Sequence, residues 1–122
     1  MQKILVDACG WVAIVDSGLH LDLELSKIIG PFELILLDSV DKELKQIEEK
    51  RNTALLLDLL EQKSTPINPP MNVGNHTDDQ LISLSKEHSW PVITVDTKLK
   101  QSLIKSGCEV IEIAQNRRLR IV

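Results

Sequence analysis

Short apolar runs of strand length alternate along the chain with longer stretches that have helical spacing. The short runs are Ile4–Val6, Leu34–Leu37, Val92–Val95 and Val110–Ile113. The longer stretches cover roughly Gly10–Ile29, Val40–Gln62, Asp78–His88 and Lys98–Ser106. Alternation of strand and helix is typical of a mostly parallel sheet with helices on both faces. The pattern predicts an α/β fold with three layers, α/β/α, and a single domain over residues 1–122.

Local sequence signals predict where two of the helices begin and end. The run Thr77-Asp78-Asp79-Gln80 has the spacing of a capping box, with Thr77 as the N-cap and Gln80 three residues later. Gly107 follows another helical stretch. It suits the left-handed backbone conformation that often ends a helix.

Two further segments have a composition of their own. Pro66, Pro69 and Pro70 predict a loop that runs to His76, and a loop of that length is often functional. The final segment, Asn116–Val122, is the densest basic patch in the chain. It predicts an additional strand at an edge of the sheet.

Composition indicates a soluble protein. Hydrophobic residues make up 43% of the chain and charged residues 26%, which is ordinary for a folded domain. No apolar run approaches the roughly 18 residues that a membrane span needs, so no membrane partner is expected. The start of the chain is unlike a signal peptide, because its apolar run is short and is interrupted by Asp7. Cys9 and Cys108 lie far apart, and free thiols in a cytoplasmic protein are the simplest interpretation.

Net charge leaves a nucleic-acid substrate open. The formal charge is -4, whereas proteins that bind nucleic acid are often basic. If four of the 18 acidic residues hold cations, 14 remain against 14 basic residues, and the rest of the surface is balanced. The charge therefore neither supports nor excludes a nuclease.

Acidic residues follow the strands of the predicted sheet. Asp7, Asp38 and Asp96 each come directly after an apolar run. Because the carboxyl ends of parallel strands meet at one edge of a sheet, these side chains are expected to converge there. The next helices start at the same edge, so Glu43 and Asp78 can join the group.

Several carboxylates at one edge predict a metal site. Unpaired, they repel one another, which raises their pKa values and costs stability. Hard divalent cations with oxygen ligands, Mg²⁺ or Mn²⁺, relieve this repulsion. Such an ion can activate water and stabilise a phosphate, which suits phosphodiester hydrolysis.

Each acid taken alone also has a simpler interpretation. An aspartate after a strand often caps the next helix, and for Asp7 and Asp96 this is about as probable as a metal site. Asp78 and Asp79 lie in a first helical turn, where acids are favoured by the helix dipole. Asp38 is the acid most readily assigned to capping. The shared sheet edge is what favours a common site.

Several segments resemble the PIN-domain family. The carboxyl half matches it through an acid that opens a helix, a strand that ends in Thr-x-Asp, a basic helix and a glycine before the next strand. The matching segments are Ile4–Asp7, Val40–Leu44, Thr77–Ser85, Pro91–Lys100 and Gly107–Ile111. The resemblance covers essentially the whole chain and is strongest after Thr77.

The resemblance implies a ribonuclease that cleaves single-stranded RNA at an acidic cluster holding Mg²⁺ or Mn²⁺. Known members include VapC-type toxins and proteins of ribosomal RNA processing. The Asp78-Asp79 pair and the run Thr94–Lys100 are more similar to the RNA-processing branch and its archaeal relatives. PIN domains often form dimers, so a homodimer is also implied.

The expected catalytic residues are Asp7, Glu43, Asp78 and Asp96. Asp7 and Asp96 would bind metal directly, and Asp78 would complete the shell, directly or through water. Glu43 would hold a second metal or orient the attacking water. By resemblance, Thr94 would orient Asp96 or hold a water beside the metal.

Supporting contacts are expected from residues near these acids. Asp79 would share the metal or only cap its helix. Basic side chains near the site and in the tail would hold the RNA backbone, although each could equally be solvated surface charge. These residues are Lys98, Lys100, Arg117, Arg118 and Arg120.

Cys9 departs from the family pattern. The family usually has Asn or Ser two residues after the first aspartate, and a cysteine cannot supply the same hydrogen bond. This departure leaves open a PIN fold that cleaves RNA weakly or not at all and binds RNA or a ribosome-assembly partner as a scaffold. A VapC-type toxin with an antitoxin partner is also open.

Two other classes of protein fit less well. A receiver domain has similar alternation, but it needs a pair of acids after its first strand, and Asp7 is followed by Ala8. A zinc site at His76 would lack a second histidine or cysteine at ligand spacing.

Overall fold

The computed structural model describes residues 1–51, 62, 64–70, 73–74, 76–114 and 118–122. Its strands are β1 (Gln2–Val6), β2 (Phe32–Leu37), β3 (Ser64–Ile67), β4 (Val92–Ile93), β5 (Val110–Ala114) and β6 (Arg118–Ile121). Its helices are α1 (Ala8–Ser17), α2 (Leu21–Ile28), α3 (Asp38–Arg51), α4 (Thr77–His88) and α5 (Thr97–Lys105). None of these helices combines the length and apolar character that crossing a membrane requires.

The described strands form one sheet in the order β3-β2-β1-β4-β5-β6. The pairs from β3 to β5 are parallel, and β5 and β6 are antiparallel. The predicted three-layer α/β/α architecture with a mostly parallel sheet is therefore confirmed. The tail also adds an edge strand, as predicted.

The core lies around the central strands. Ile4–Val6 and Leu34–Leu37 are buried along their whole length, as expected for strands covered by helices on both faces. Trp11 on α1 and Leu44 on α3 are buried against this core as well. A rigid sheet thus supports the edge at which β1, β2 and β4 end.

The stretch predicted as one helix over Gly10–Ile29 is two helices. α1 ends at Gly18, whose φ of 68° lies in the left-handed region that glycine adopts without steric cost. α2 begins after His20, whose side chain accepts a hydrogen bond from the Leu23 amide. A second start signal at His20 was therefore missed.

The sequence pattern does not predict the strand β3, because Pro66 indicates a loop. Pro66 pairs with Leu36 inside β3, which lies at the edge of the sheet. A strand at an edge tolerates proline, because one side of its backbone needs no N–H donor. Within the predicted loop, Pro69 and Pro70 do lie outside regular structure.

Two predicted boundaries change. β4 stops at Ile93 instead of Val95, because the chain turns at Thr94, whose hydroxyl accepts a hydrogen bond from the Asp96 amide. The helix predicted over Val40–Gln62 begins earlier, at Asp38, and most of its second half lies outside the described residues.

The predicted capping box at Thr77 is wrong. His76 is the N-cap of α4, with no side-chain capping bond, and Thr77 is the first helical residue. The Thr77 hydroxyl instead donates a hydrogen bond to Glu43 on α3, 2.7 Å away. Gly107 does adopt the predicted left-handed conformation after α5, with φ of 77°.

Candidate active site

Asp7 and Asp96 lie at the carboxyl edge of the sheet, and each also caps the helix that follows it. Asp7 Oδ1 accepts a hydrogen bond from the Gly10 amide at 2.7 Å. Asp96 Oδ1 accepts from the Lys98 and Leu99 amides at 2.9 and 3.2 Å. Each aspartate can therefore cap a helix and also contribute to the acidic edge, because an oxygen that caps a helix keeps a lone pair that can face solvent.

Thr94 joins these two aspartates. Its hydroxyl donates to Asp7 Oδ2 at 2.6 Å and accepts from the Asp96 amide at 3.0 Å. Thr94 is 0% exposed, so both bonds are shielded from water. A single buried hydroxyl thus sets the orientation of Asp7 relative to the start of α5.

Glu43 and Asp78 reach the same region from the second turn of α3 and the first turn of α4. Glu43 Oε1 accepts the hydrogen bond from Thr77, the residue directly before Asp78. Both carboxylates are exposed to solvent. Two helices far apart in sequence are therefore held side by side where their acids emerge.

The pKa values reflect the crowding of these acids. Burial raises the pKa of Asp7 to about 6, the hydrogen bonds from Thr94 and Gly10 oppose this, and the charges of Asp96 and Asp78 add to it. Partial desolvation raises the pKa of Asp78 as well, followed by the charges of Asp96, Glu43 and Asp79, while His76 lowers it. The four predicted acids therefore share one electrostatic environment.

Cys9 lies within the same environment. Burial raises the pKa of its thiol, and the charges of the predicted acids raise it further. Those acids are Asp7, Asp96, Glu43 and Asp78. The residue that departs from the family pattern therefore stands beside the acids and stays in its neutral thiol form.

Gly10 is a residue of this region that sequence reasoning missed. A Cβ on Gly10 would stand 2.7 Å from the Ile93 carbonyl oxygen and 2.9 Å from Asp7 Oδ1. Only glycine lets α1 approach β4 so closely while its amide reaches the Asp7 carboxylate. A glycine three residues after a strand-end aspartate is the signal that could have indicated it.

Two other acids lie near the edge. Asp38, directly after β2, forms an ion pair with Lys42 at 3.1 Å. Asp79 is exposed in the first turn of α4, and its charge helps to raise the pKa of Asp78. Asp38 thus forms its ion pair within α3, and the charge of Asp79 raises the pKa of Asp78.

The predicted RNA-binding residues are spread over two elements. Lys98 is exposed in the first turn of α5. Lys100 instead forms an ion pair with Glu112 on β5 at 2.7 Å, and Arg120 contacts the same carboxylate. Arg118 is exposed on β6, whereas Arg117 lies outside the described residues. Lys100 and Arg120 are therefore both paired with Glu112 within the protein.

The donor set fits a hard divalent cation. Its side chains offer carboxylate oxygens, and their mutual repulsion would be relieved by positive charge. In the described part of the chain, no three acidic, histidine or cysteine side chains stand close enough to hold a metal ion on their own. Mg²⁺ does not require this, because it is usually bound by one or two carboxylates together with waters and substrate phosphate.

Comparison with known proteins gives two kinds of similarity. The family model described as a PIN-like domain matches residues 4–116. The solved structure of the PIN domain endonuclease Utp24 superposes with a TM-score of 0.82 at 20% identity, covering 98% of this chain and 90% of that one. The structure of PAE2754 from Pyrobaculum aerophilum superposes with a TM-score of 0.55 at 16% identity, covering 87% of this chain and 96% of that one. No curated protein sequence matches the chain significantly.

Proposed function

The chain belongs to the PIN-like domain family, and from this premise we propose that its acidic edge is the active site of a divalent-metal-dependent endoribonuclease. The substrate would be single-stranded RNA. The observation that carries the proposal is the convergence of Asp7, Glu43, Asp78 and Asp96 from four separate elements. Its fold is also that of Utp24, which is described as an endonuclease.

Asp7 and Asp96 are the residues that would hold Mg²⁺ or Mn²⁺ directly, and Asp78 would complete the shell, directly or through water. The ion would supply a Lewis acid for the phosphate and lower the pKa of water. Thr94 holds Asp7 in place through its 2.6 Å hydrogen bond, so that carboxylate does not need to reorganise when a cation binds. The site is thus oriented before the substrate arrives.

Glu43 is suited to orient the attacking water. Thr77 occupies its Oε1 atom, which leaves Oε2 to accept a hydrogen bond from water. Lys98, exposed beside the Asp96 cap, is suited to hold a phosphate of the RNA backbone. The charge of Asp79 would raise the pKa of Asp78.

Cleavage of single-stranded RNA in the presence of Mn²⁺ tests the proposal. The variants Asp7→Asn, Asp78→Asn and Asp96→Asn should each lower the rate by at least about a hundredfold, the scale on which loss of one electrostatic group acts. Glu109→Gln, which removes an exposed carboxylate before the amino end of β5, is the matched control. If the three aspartate variants cleave as fast as the parent, the assigned site is wrong.

We place the activity in RNA processing, with ribosomal RNA as the expected target. The Asp78-Asp79 pair and the Thr94–Lys100 run support this. The cysteines of the described residues are free thiols, which fits a reducing compartment such as the cytoplasm. The absence of an adjacent gene for a small DNA-binding protein would favour this role, and its presence would favour a VapC-type toxin.

A catalytically weak scaffold is the second candidate, and Cys9 is the observation that favours it. Cys9 stands beside the acids where the family usually has a hydrogen-bonding Asn or Ser. A scaffold would bind RNA or a ribosome-assembly partner without turnover. Calorimetric titration with Mn²⁺ distinguishes it, because a scaffold without a metal site gives no heat that depends on Asp7 or Asp96.

A further inference from the structure

Two hydrogen bonds fasten the amino-terminal parts of α3 and α4 to each other beside the acidic edge. Ser39 Oγ donates to Gln80 Oε1 at 2.7 Å, and Thr77 Oγ1 donates to Glu43 Oε1 at 2.7 Å. We infer that Gln80, with Ser39 and Thr77, is a positioning residue that keeps Glu43 and Asp78 beside each other at the acidic edge, where a divalent cation would bind. This inference rests on the proposed function.

The two bonds act as a pair because of their spacing along each helix. Ser39 and Glu43 are four residues apart on α3, and Thr77 and Gln80 are three apart on α4. Residues at these separations lie on one helical face, one turn above the other. Asp78 stands between the two attachment points on α4. Rotation or sliding of one helix along the other would strain both bonds.

Gln80 is the central member of this clamp. It is 3% exposed, and both ends of its amide are used. Oε1 accepts from Ser39, while Nε2 donates to the Gly74 carbonyl at 2.8 Å. Gly74 precedes α4 and has a φ of 82°. One buried side chain therefore ties together α3, α4 and the segment that enters α4, and hydrogen bonds shielded from water in this way restrict movement.

The charges explain why a clamp is needed. Glu43 and Asp96 carry like charges that act on Asp78, close to the amino ends of α3, α4 and α5. Without a cation, this repulsion favours moving the helices apart, and exposed carboxylates alone cannot oppose it. The Ser39–Gln80 and Glu43–Thr77 bonds hold the acids together, so less reorganisation is required when the cation binds.

The other end of α4 supplies a matched control. Ser85 is 2% exposed and donates a hydrogen bond to the Trp90 carbonyl at 2.6 Å. Ser85→Ala therefore removes one buried hydroxyl bond from the same helix, but far from the acids. A variant that merely weakened α4 would resemble Ser85→Ala in its Mn²⁺ affinity. A variant that lost the positioning of the acids would bind Mn²⁺ more weakly than Ser85→Ala does.

Calorimetric titration of the full chain with Mn²⁺ alone tests the inference. Ser39→Ala and Gln80→Met, which removes the amide at similar volume, should each weaken Mn²⁺ binding by about tenfold, the scale of losing a residue that orients a metal ligand. Ser39→Thr keeps the hydroxyl and should restore most of the affinity. Ser85→Ala should leave the affinity unchanged while lowering the unfolding temperature to a similar degree.

The outcomes separate this inference from the proposed function. If Ser39→Ala and Gln80→Met bind Mn²⁺ as tightly as Ser85→Ala does, the clamp does not position the site and the inference is overturned. If Asp7→Asn binds Mn²⁺ as tightly as the parent, the metal site itself is wrong. Ser39→Ala removes a single oxygen, so it keeps the test decisive if Gln80→Met fails to fold.

Discussion

At the scale of single residues, Asp7 serves both the fold and the acidic edge. Its carboxylate caps α1 through the Gly10 amide and accepts the Thr94 hydroxyl on its other oxygen. These bonds favour the charged form, yet burial outweighs them and the pKa is raised to about 6. In the metal-free protein, the charged form of Asp7 at neutral pH is therefore less favourable than that of an ordinary aspartate.

This raised pKa predicts how stability changes with pH. The folded value of about 6 exceeds the ordinary value of 3.8, so the folded state binds the proton more tightly. The stabilisation is complete below about pH 4 and is lost as the pH rises through 6, by about 3 kcal/mol at most. Urea unfolding without divalent metal, from pH 4 to 8, measures this contribution.

The Asp7→Asn variant isolates this contribution, because its side chain does not titrate. Its stability should change much less between pH 4 and 7 than that of the parent. Glu109→Gln, which removes an exposed carboxylate away from the site, should keep the parental dependence of stability on pH. A slope in Asp7→Asn equal to that of the parent would contradict the assignment.

Gly10→Ala is predicted to destabilise the protein, against helix propensity. Alanine inside a helix is normally more stable than glycine by about 1 kcal/mol. Here the added Cβ would meet the Ile93 carbonyl at 2.7 Å and Asp7 Oδ1 at 2.9 Å, so β4 or Asp7 must shift. Overpacking of this kind costs about 1–3 kcal/mol. Urea unfolding at pH 7 checks the sign, and a more stable variant would show that α1 relaxes freely.

At the scale of elements, α5 presents two lysines with different surroundings. Lys100 pairs with Glu112, a carboxylate whose pKa is lowered by its hydrogen bonds with Lys100 and then with Arg120. This network joins α5 to β5 and β6. Lys98, in the first turn of the same helix, is exposed beside Asp96. The two side chains are therefore unequal candidates for contacts with RNA.

Lys98→Ala is predicted to weaken RNA binding more than Lys100→Ala. Loss of one phosphate contact should reduce the salt dependence of affinity by about one unit of the log–log slope. Lys100→Ala should change this slope less, because its ammonium group is held in an ion pair with Glu112. Fluorescence anisotropy of single-stranded RNA, in an Asp7→Asn background to prevent cleavage, measures both. A larger effect from Lys100→Ala would reverse the assignment.

At the scale of the whole molecule, folding brings together charges that repel one another. The four predicted acids come from four different elements: Asp7 follows β1, Glu43 lies in α3, Asp78 lies in α4 and Asp96 precedes α5. The sheet order places β1 beside both β2 and β4. The energy that holds them together comes from the buried sheet and the polar contacts between helices. A ligand that removes the repulsion should therefore stabilise the whole fold.

Mn²⁺ is predicted to raise the unfolding temperature in a manner that depends on Asp96. Free metal at a hundred times its dissociation constant should stabilise the protein by about 2.7 kcal/mol. The gain should be larger at pH 8 than at pH 5, because the ligands must be deprotonated. Thermal unfolding with Mn²⁺ and then excess chelator measures it. An equal gain in Asp96→Asn would indicate binding elsewhere.

Most of the architecture and the positions of the acids could be predicted from the sequence, because those signals are local. Apolar periodicity depends on neighbouring residues, so it indicated β1, β2, β5 and the order of strands and helices. Parallel strands end at a common edge, which linked Asp7 with Asp96 before any contact was known. The edge strand with Pro66 was missed because proline weakens the same local signal.

Only the tertiary structure decided which polar groups pair. Thr77 has the spacing of a local cap, yet its hydroxyl bonds to Glu43, 34 residues away. Thr94 and Asp7 are 87 residues apart, and Ser39 and Gln80 are 41 apart. A hydroxyl or an amide has many possible partners of similar energy, and packing selects among them. The sequence therefore indicated where the acids gather, and the packing of helices on the sheet decided what orients them.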